Sequence, residues 1–254
     1  MGSKLTPINK LLVCARRFAP GGRGRIFAPM NPAALLDFLQ ELARHNERDW
    51  FQDHKATYDH LRRDFEQSVA SWLRALAAAD PALASLDPKK CIFRIYRDVR
   101  FSKVKVPYKT HFSAYFAPGG KHGDAPGRYV QIGPNGQTLV AGGLYEPTKE
   151  QLTAIRQEID YAAEGLHAVI AAPEARQLFP NGLAGEQLKK MPPGYEATHE
   201  EAGWLRHKSF LLSHNLPDAD VRRLTPAAFE AHILAALRAL GPFCGWLTDA
   251  TSQE

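Results

Sequence analysis

The stretch Arg128-Tyr-Val-Gln-Ile-Gly-Pro-Asn-Gly-Gln-Thr-Leu-Val-Ala-Gly-Gly-Leu144 holds two runs of alternating apolar and polar residues on either side of Pro134-Asn135-Gly136. Alternation over residues 128–133 and 137–144 predicts two strands, because successive side chains of a strand point to opposite faces. Asn-Gly between them supplies the positive φ angles that a tight hairpin turn requires. A connection this short can join only antiparallel neighbours, so this segment sets the type of sheet.

Working outward, residues 111–116 and residues 91–101 also read as strands, and Pro118-Gly119-Gly120 through Pro126-Gly127 forms a longer loop joining another pair. Residues 204–212 could return to the sheet as a further strand. Helical spacing surrounds this block. Asn31-Pro32 has the form of an N-cap followed by proline at the first helical position, and Leu35, Phe38, Leu39 and Leu42 recur up to about His45. A second helix is expected from about Asp53, with Tyr58, Leu61, Phe65, Val69, Trp72 and Leu76 on one stripe and Asp80-Pro81 ending it. After Pro147, one helix is marked by Leu152, Ile155 and Ile159 and another by Leu166, Val169 and Ile170. Thr225-Pro226 caps a helix bearing Phe229, Ile233, Leu237 and Leu240, and Pro242 opens a last turn. Helices first, strands in the middle and helices last predict a single α+β domain over residues 31–250, its central, mainly antiparallel sheet packed by helices from both ends of the chain.

Charge bears on function. Residues 1–30 carry Lys4, Lys10, Arg16, Arg17, Arg23 and Arg25 and no acid; the remaining 26 basic residues face 27 acidic ones. The globular part is electrically balanced, which removes a global charge argument for nucleic-acid binding. Residues 1–30 read as a disordered extension or the product of an upstream start codon with Met30 as the true start; an organellar transit peptide is the alternative. Cys14, Cys91 and Cys244 are far apart and form no CxxC pair, so neither a disulfide framework nor a thiolate zinc site is indicated. No apolar run approaches the length needed to span a membrane. The expectation is a cytoplasmic protein, with no membrane partner and an oligomeric state the sequence leaves open.

The basic, aromatic run from Arg94 to His111 is the candidate working surface. If extended, it places Arg94, Tyr96, Asp98 and Arg100 on one face, with Phe93, Ile95, Val99 and Phe101 on the other and Arg97 among them. Guanidiniums around a carboxylate match it bidentately and can hold a phosphate or carboxylate. Arg94, Arg97 and Arg100 would supply the positive charge, and Lys105 and Lys109 would close over that ligand with Lys103 beside them in the loop. Tyr108 or Asp98 would position it, and His111 or Tyr108 could move a proton. On this account the protein binds an anionic small molecule, with hydrolysis or group transfer the first reaction class to test. The same cluster could instead meet a nucleic acid, or serve a purely structural or interaction protein as a cross-strand ion-pair network with solvated lysines. The chain carries no P-loop, GxGxxG, GxSxG or HExxH motif, so neither a cofactor nor a metal is indicated.

Residues 94–108 resemble the signature of an uncharacterised bacterial family, domain of unknown function 2461. Its pattern is Arg-x-x-Arg-Asp-x-Arg-Phe, a short spacer, Asp/Asn-Lys, two residues, then Tyr. Arg94, Arg97, Asp98, Arg100, Phe101, Lys105 and Tyr108 match it, and Val104 departs from the family's Asp or Asn, which weakens a metal or general-base role there. Asn46-Glu47-Arg48-Asp49-Trp50-Phe51 with Lys55 and Tyr58, Gly142-Gly143-Leu144-Tyr145 with Pro147, and Leu188-Lys189-Lys190-Met191-Pro192 are similar to other family segments. The resemblance runs from about Asn31 to Leu247. It implies one domain and carries no activity.

Overall fold

The computed structural model describes residues 29–100, 103 and 105–252. The expectations for the basic extension before residue 29, and for Phe101 and Val104, fall outside these residues.

Asn31 caps α1 (Pro32–Arg44), its side chain accepting from the Ala33 and Ala34 N–H groups. Met30, just before this cap, is 1% exposed and packs into the core. Helices α2 (Arg48–Asp53) and α3 (Lys55–Ala77) follow. Leu61, Phe65, Val69, Trp72 and Leu76 of α3 are buried at spacings of three and four, the stripe expected from the sequence. A helical turn, α4 (Pro88–Cys91), leads to the sheet.

Strands β1 (Phe112–Phe116), β2 (Gly127–Ile132) and β3 (Thr138–Leu144) form a meander. Asn135 and Gly136 take φ of 60° and 72°, the double positive φ of the hairpin turn. The Asp218 carboxylate accepts from both of their N–H groups at 2.8 Å, a support from distant sequence. Capped by a Thr148–Gln151 box, α5 (Lys149–Ala171) continues as one element past a break at Ala162, where φ is −147°. The two expected stripes lie on either side of that break. Helix α6 (Pro173–Leu178), β4 (Leu183–Ala184) and α7 (Ala202–Leu205) then precede β5 (Phe210–Leu216).

The returning strand expected over residues 204–212 is thus displaced. Trp204 belongs to α7, and β5 continues through the polar Ser213-His214-Asn215 because β3 pairs with it up to Thr138↔Leu216. Helices α8 (Asp218–Arg223), α9 (Pro226–Ala239) and α10 (Gly241–Thr251) close the chain. The sheet order is β1-β2-β3-β5-β4, and every strand pair is antiparallel. The architecture is the expected α+β domain.

One sheet face supplies the core: Phe112, Ala114 and Phe116 from β1, Val130 and Ile132 from β2, Val140 from β3, and Leu212 and Leu216 from β5. Phe112 packs edge-on to Phe65 of α3 at 5.5 Å. Each of the buried Val, Ile, Leu and Phe side chains contributes on the order of 1.5–3 kcal/mol. Residues 226–251 are apolar and long enough to cross a membrane by length and composition, contrary to the sequence expectation. Phe229, Ile233, Phe243 and Leu247 of that stretch are buried in this core. Gly143 explains the glycine pair at the end of β3. With φ of 123°, a Cβ there would stand 2.0 Å from the Phe210 carbonyl oxygen and 2.8 Å from the Phe243 ring. The close approach at this glycine is made by the protein itself, through β5 and α10.

Candidate anion-binding site

Residues 92–97 run beside β1 without forming the continuous strand expected over residues 91–101. Isolated bridges form at Ile92↔Ala114 and Tyr96↔Tyr108. Three residues separate the bridged positions on one side and five on the other, so the ladder cannot stay in register. The Arg97 N–H donates to Pro107 O at 2.9 Å and the Lys109 N–H to Ile95 O at 2.7 Å. These bonds form the neck of a loop, and Lys109 and His111 lie in the bulged side. Alternation still sorts the side chains: Arg94, Tyr96, Asp98 and Arg100 are exposed, Ile95 is buried, and Phe93, Arg97 and Val99 are half-buried.

The structure divides the basic residues into two groups. Asp98 and Arg100 satisfy each other within the loop. Arg100 donates from Nε to Oδ1 at 3.0 Å and from Nη2 to Oδ2 at 2.6 Å, while its backbone N–H closes a turn on Oδ1 at 3.2 Å. The bonds from Arg100, helped by Arg94, hold the Asp98 carboxyl down at about 2. Lys105 Nζ caps the Val99 carbonyl at 2.8 Å, and Lys103 is exposed.

The second group gathers around Phe93. The ammonium groups of Lys109 and Lys121 each lie 5.3 Å from the centre of its ring. Burial and the charges of Arg94, Lys121 and Arg97 lower the Lys109 pKa; among the described residues, every charged group acting on it is a cation. Lys121 also donates to Ile92 O at 3.0 Å, which brings the β1–β2 loop over this corner. Lys121 lies outside the basic run and is not among the candidates that the sequence singles out. The pairing of β1 with β2 brings that loop back beside Phe93, and the neighbouring glycines were its only local signal.

Tyr108 and the segment from Asn46 build the floor beneath. Asn46 clamps the Tyr108 backbone, its Nδ2 donating to Tyr108 O and its Oδ1 accepting from Tyr108 N, both at 3.0 Å. The Tyr108 ring is 3% exposed and stacks on Phe51 at 4.0 Å and 17°. Burial, followed by the neighbouring Tyr96, raises its phenol pKa. Phe51 in turn packs against Tyr58 at 5.0 Å. Two segments singled out by resemblance, 46–58 and 94–108, therefore meet in space. His111 is half-buried, and burial with nearby Lys109 lowers its pKa to about 4, so the imidazole is neutral at pH 7.

Elsewhere, His214 and His232 place their Nε2 atoms 3.2 Å apart in the interior. His199 donates from Nε2 to Asp160 at 2.9 Å, a tautomer fixed because its Nδ1 accepts the Glu201 N–H. Among the described residues, no three His, Cys, Asp or Glu side chains gather to hold a metal ion.

The family described as conserved hypothetical protein (DUF2461) matches residues 34–246, a span containing the whole sheet, the Phe93 cation group and the Tyr108 floor. No curated protein and no solved structure matches the chain. On the strength of a match covering most of its length, the chain belongs to the conserved hypothetical protein family DUF2461.

Proposed function

We propose that this protein binds a phosphate- or carboxylate-bearing ligand at the corner where Lys109 and Lys121 flank Phe93 and the charges of Arg94 and Arg97 bear on Lys109. The observation that carries the reading is the pair of ammonium groups sharing the Phe93 ring at 5.3 Å, with two guanidiniums as the remaining charged neighbours of Lys109. Like charges held together on a partly desolvated surface oppose folding, and a bound anion removes that opposition. Arg100, Lys103 and Lys105, grouped with the ligand-binding residues on sequence grounds, serve in this reading as the loop's own frame. If the bound anion reacts by hydrolysis or transfer, neutral His111 is the base at hand, while Asp98 and Tyr108 hold the surroundings in place. A cytoplasmic setting is part of the proposal, supported by the free buried thiols of Cys91 and Cys244, which burial raises to about 11.

The test is thermal denaturation with inorganic pyrophosphate, phosphate monoesters and dicarboxylates. The expected result is stabilisation by at least one polyanion, lost in Arg94→Ala and Lys121→Ala and kept in Arg100→Ala. Stabilisation by none of them overturns the reading.

A further inference from the structure

We propose that the natural ligand of the Phe93 cation group is a single-stranded nucleic acid whose bases cross the half-open face of the sheet. The proposal rests on the anion-site reading above and names its ligand.

The sheet has two unlike faces. Opposite the core face stand buried Ser113 and half-buried Tyr115 of β1, followed by Tyr129, Gln131, Leu139, Ala141, Leu211 and Ser213, all half-buried, and Leu139 and Leu211 lie outside the hydrophobic core. Register makes this face continuous: Tyr129 is opposite Ala141, Ala141 is opposite Ser213, and Leu139 is opposite the exposed Asn215. Phe93 joins the same row, its ring edge-on to Tyr129 at 6.2 Å. The cation group therefore stands at the β1 margin of this face.

Charge complementarity argues for the occupant. None of the five strands contains an aspartate or glutamate. A polyanion entering at Arg94, Arg97, Lys109 and Lys121 thus meets no carboxylate from the strands as it crosses. Neighbouring strands lie about 4.8 Å apart, so the path from β1 across β2 and β3 to β5 is roughly 14 Å. A sheet of that width accommodates about two or three bases laid on side chains, as single-strand readers do. Tyr129, Leu139 and Leu211 offer aromatic and apolar surface to base faces, and Ser213 and Asn215 offer hydrogen bonds to base edges. A duplex keeps its base faces stacked inside and could use only the cations.

The experiment is fluorescence anisotropy on the full chain with a labelled oligothymidylate of about 12 nucleotides, within the usual span of a single-strand site. The slope of log affinity against log salt should be about −3, near −0.7 for each of the four cations, and Lys121→Ala should flatten it by about 0.7. Leu139→Glu and the exposed Asn215→Glu should each weaken the oligonucleotide at least tenfold while pyrophosphate binding is unchanged. Asn215→Glu keeps the test valid if Leu139→Glu fails to fold. Pyrophosphate binding without oligonucleotide binding overturns this inference and leaves the anion site standing; loss of both overturns both. Equal affinity for duplex, or equal displacement by polyglutamate, also overturns it.

Discussion

Arg128 and the cations around Phe93 are handled in opposite ways by the same sheet. Arg128 is on the core face of β2, its side chain 7% exposed, and its Nη1 donates to Asp80 at 3.0 Å just beyond the end of α3. The Phe93 group, at the β1 margin, keeps Arg94, Arg97, Lys109 and Lys121 near one another with cations as the charged neighbours of Lys109. A buried charge must be paired where the chain folds, whereas charges at an open margin can be left for something that arrives later. The first arrangement is explained by the fold alone. The second is the arrangement on which the proposed anion site draws.

This contrast can be broken most decisively at its buried end. Arg128→Ala removes a buried side chain together with its packing and its bond to Asp80, and should cost about 3 kcal/mol of stability, read by urea denaturation. Pyrophosphate should still stabilise whatever fraction folds. A variant of unchanged stability would remove the structural half of the comparison.

At the open end, Lys109→Ala and Lys121→Ala should each weaken polyanion binding about tenfold, near 1.4 kcal/mol, while stability holds or rises slightly as like-charge repulsion is relieved. Isothermal calorimetry beside thermal denaturation separates the two effects. A loss of stability as large as that of Arg128→Ala would make these lysines structural.

Acidity sharpens the comparison from another side. His111 and His232 have pKa values pushed to about 4 by burial, then by Lys109 and by His214 respectively. Both lie below the unfolded value of about 6.5, so between these pH values the unfolded chain binds more protons. Stability should be fully present above about pH 6.5 and fall, by on the order of 3 kcal/mol for each imidazole, as pH drops towards 4. His232→Phe should lose part of that slope, and a flat profile would contradict the burial argument. On the alkaline side, the lowered Lys109 pKa should make anion affinity decline before the ordinary lysine value of about 10.4 is reached.

The smallest effect is expected inside the Asp98–Arg100 loop. Arg100→Ala removes an exposed, solvent-screened pair and should leave both stability and polyanion binding nearly unchanged.

The fold was largely legible because its signals are local. Asn135-Gly136 supplies its own φ angles, Asn31-Pro32 its own cap, and the stripe from Leu61 to Leu76 its own period. Residues 91–101 and 204–212 depart from their local patterns because the decisive facts lie elsewhere in the chain. Two extra residues between Tyr108 and Ala114 break one ladder, and pairing with β3 carries β5 through polar residues. The site was half legible for the same reason. A dense basic run announced itself, but only tertiary structure shows that Asp98 claims Arg100 and that Lys121 comes back to Phe93. Charge density in a sequence marks where cations are, and their partners decide which of them remain available.

The central claim is most directly tested by calorimetric titration of inorganic pyrophosphate into the wild-type chain, Lys121→Ala and Arg100→Ala at low salt. Binding to the wild type and Arg100→Ala, with about tenfold weaker binding to Lys121→Ala, is the expected result. Equal binding by all three, or binding lost in Arg100→Ala and kept in Lys121→Ala, would contradict the division of the basic run into a self-satisfied loop and an open anion site.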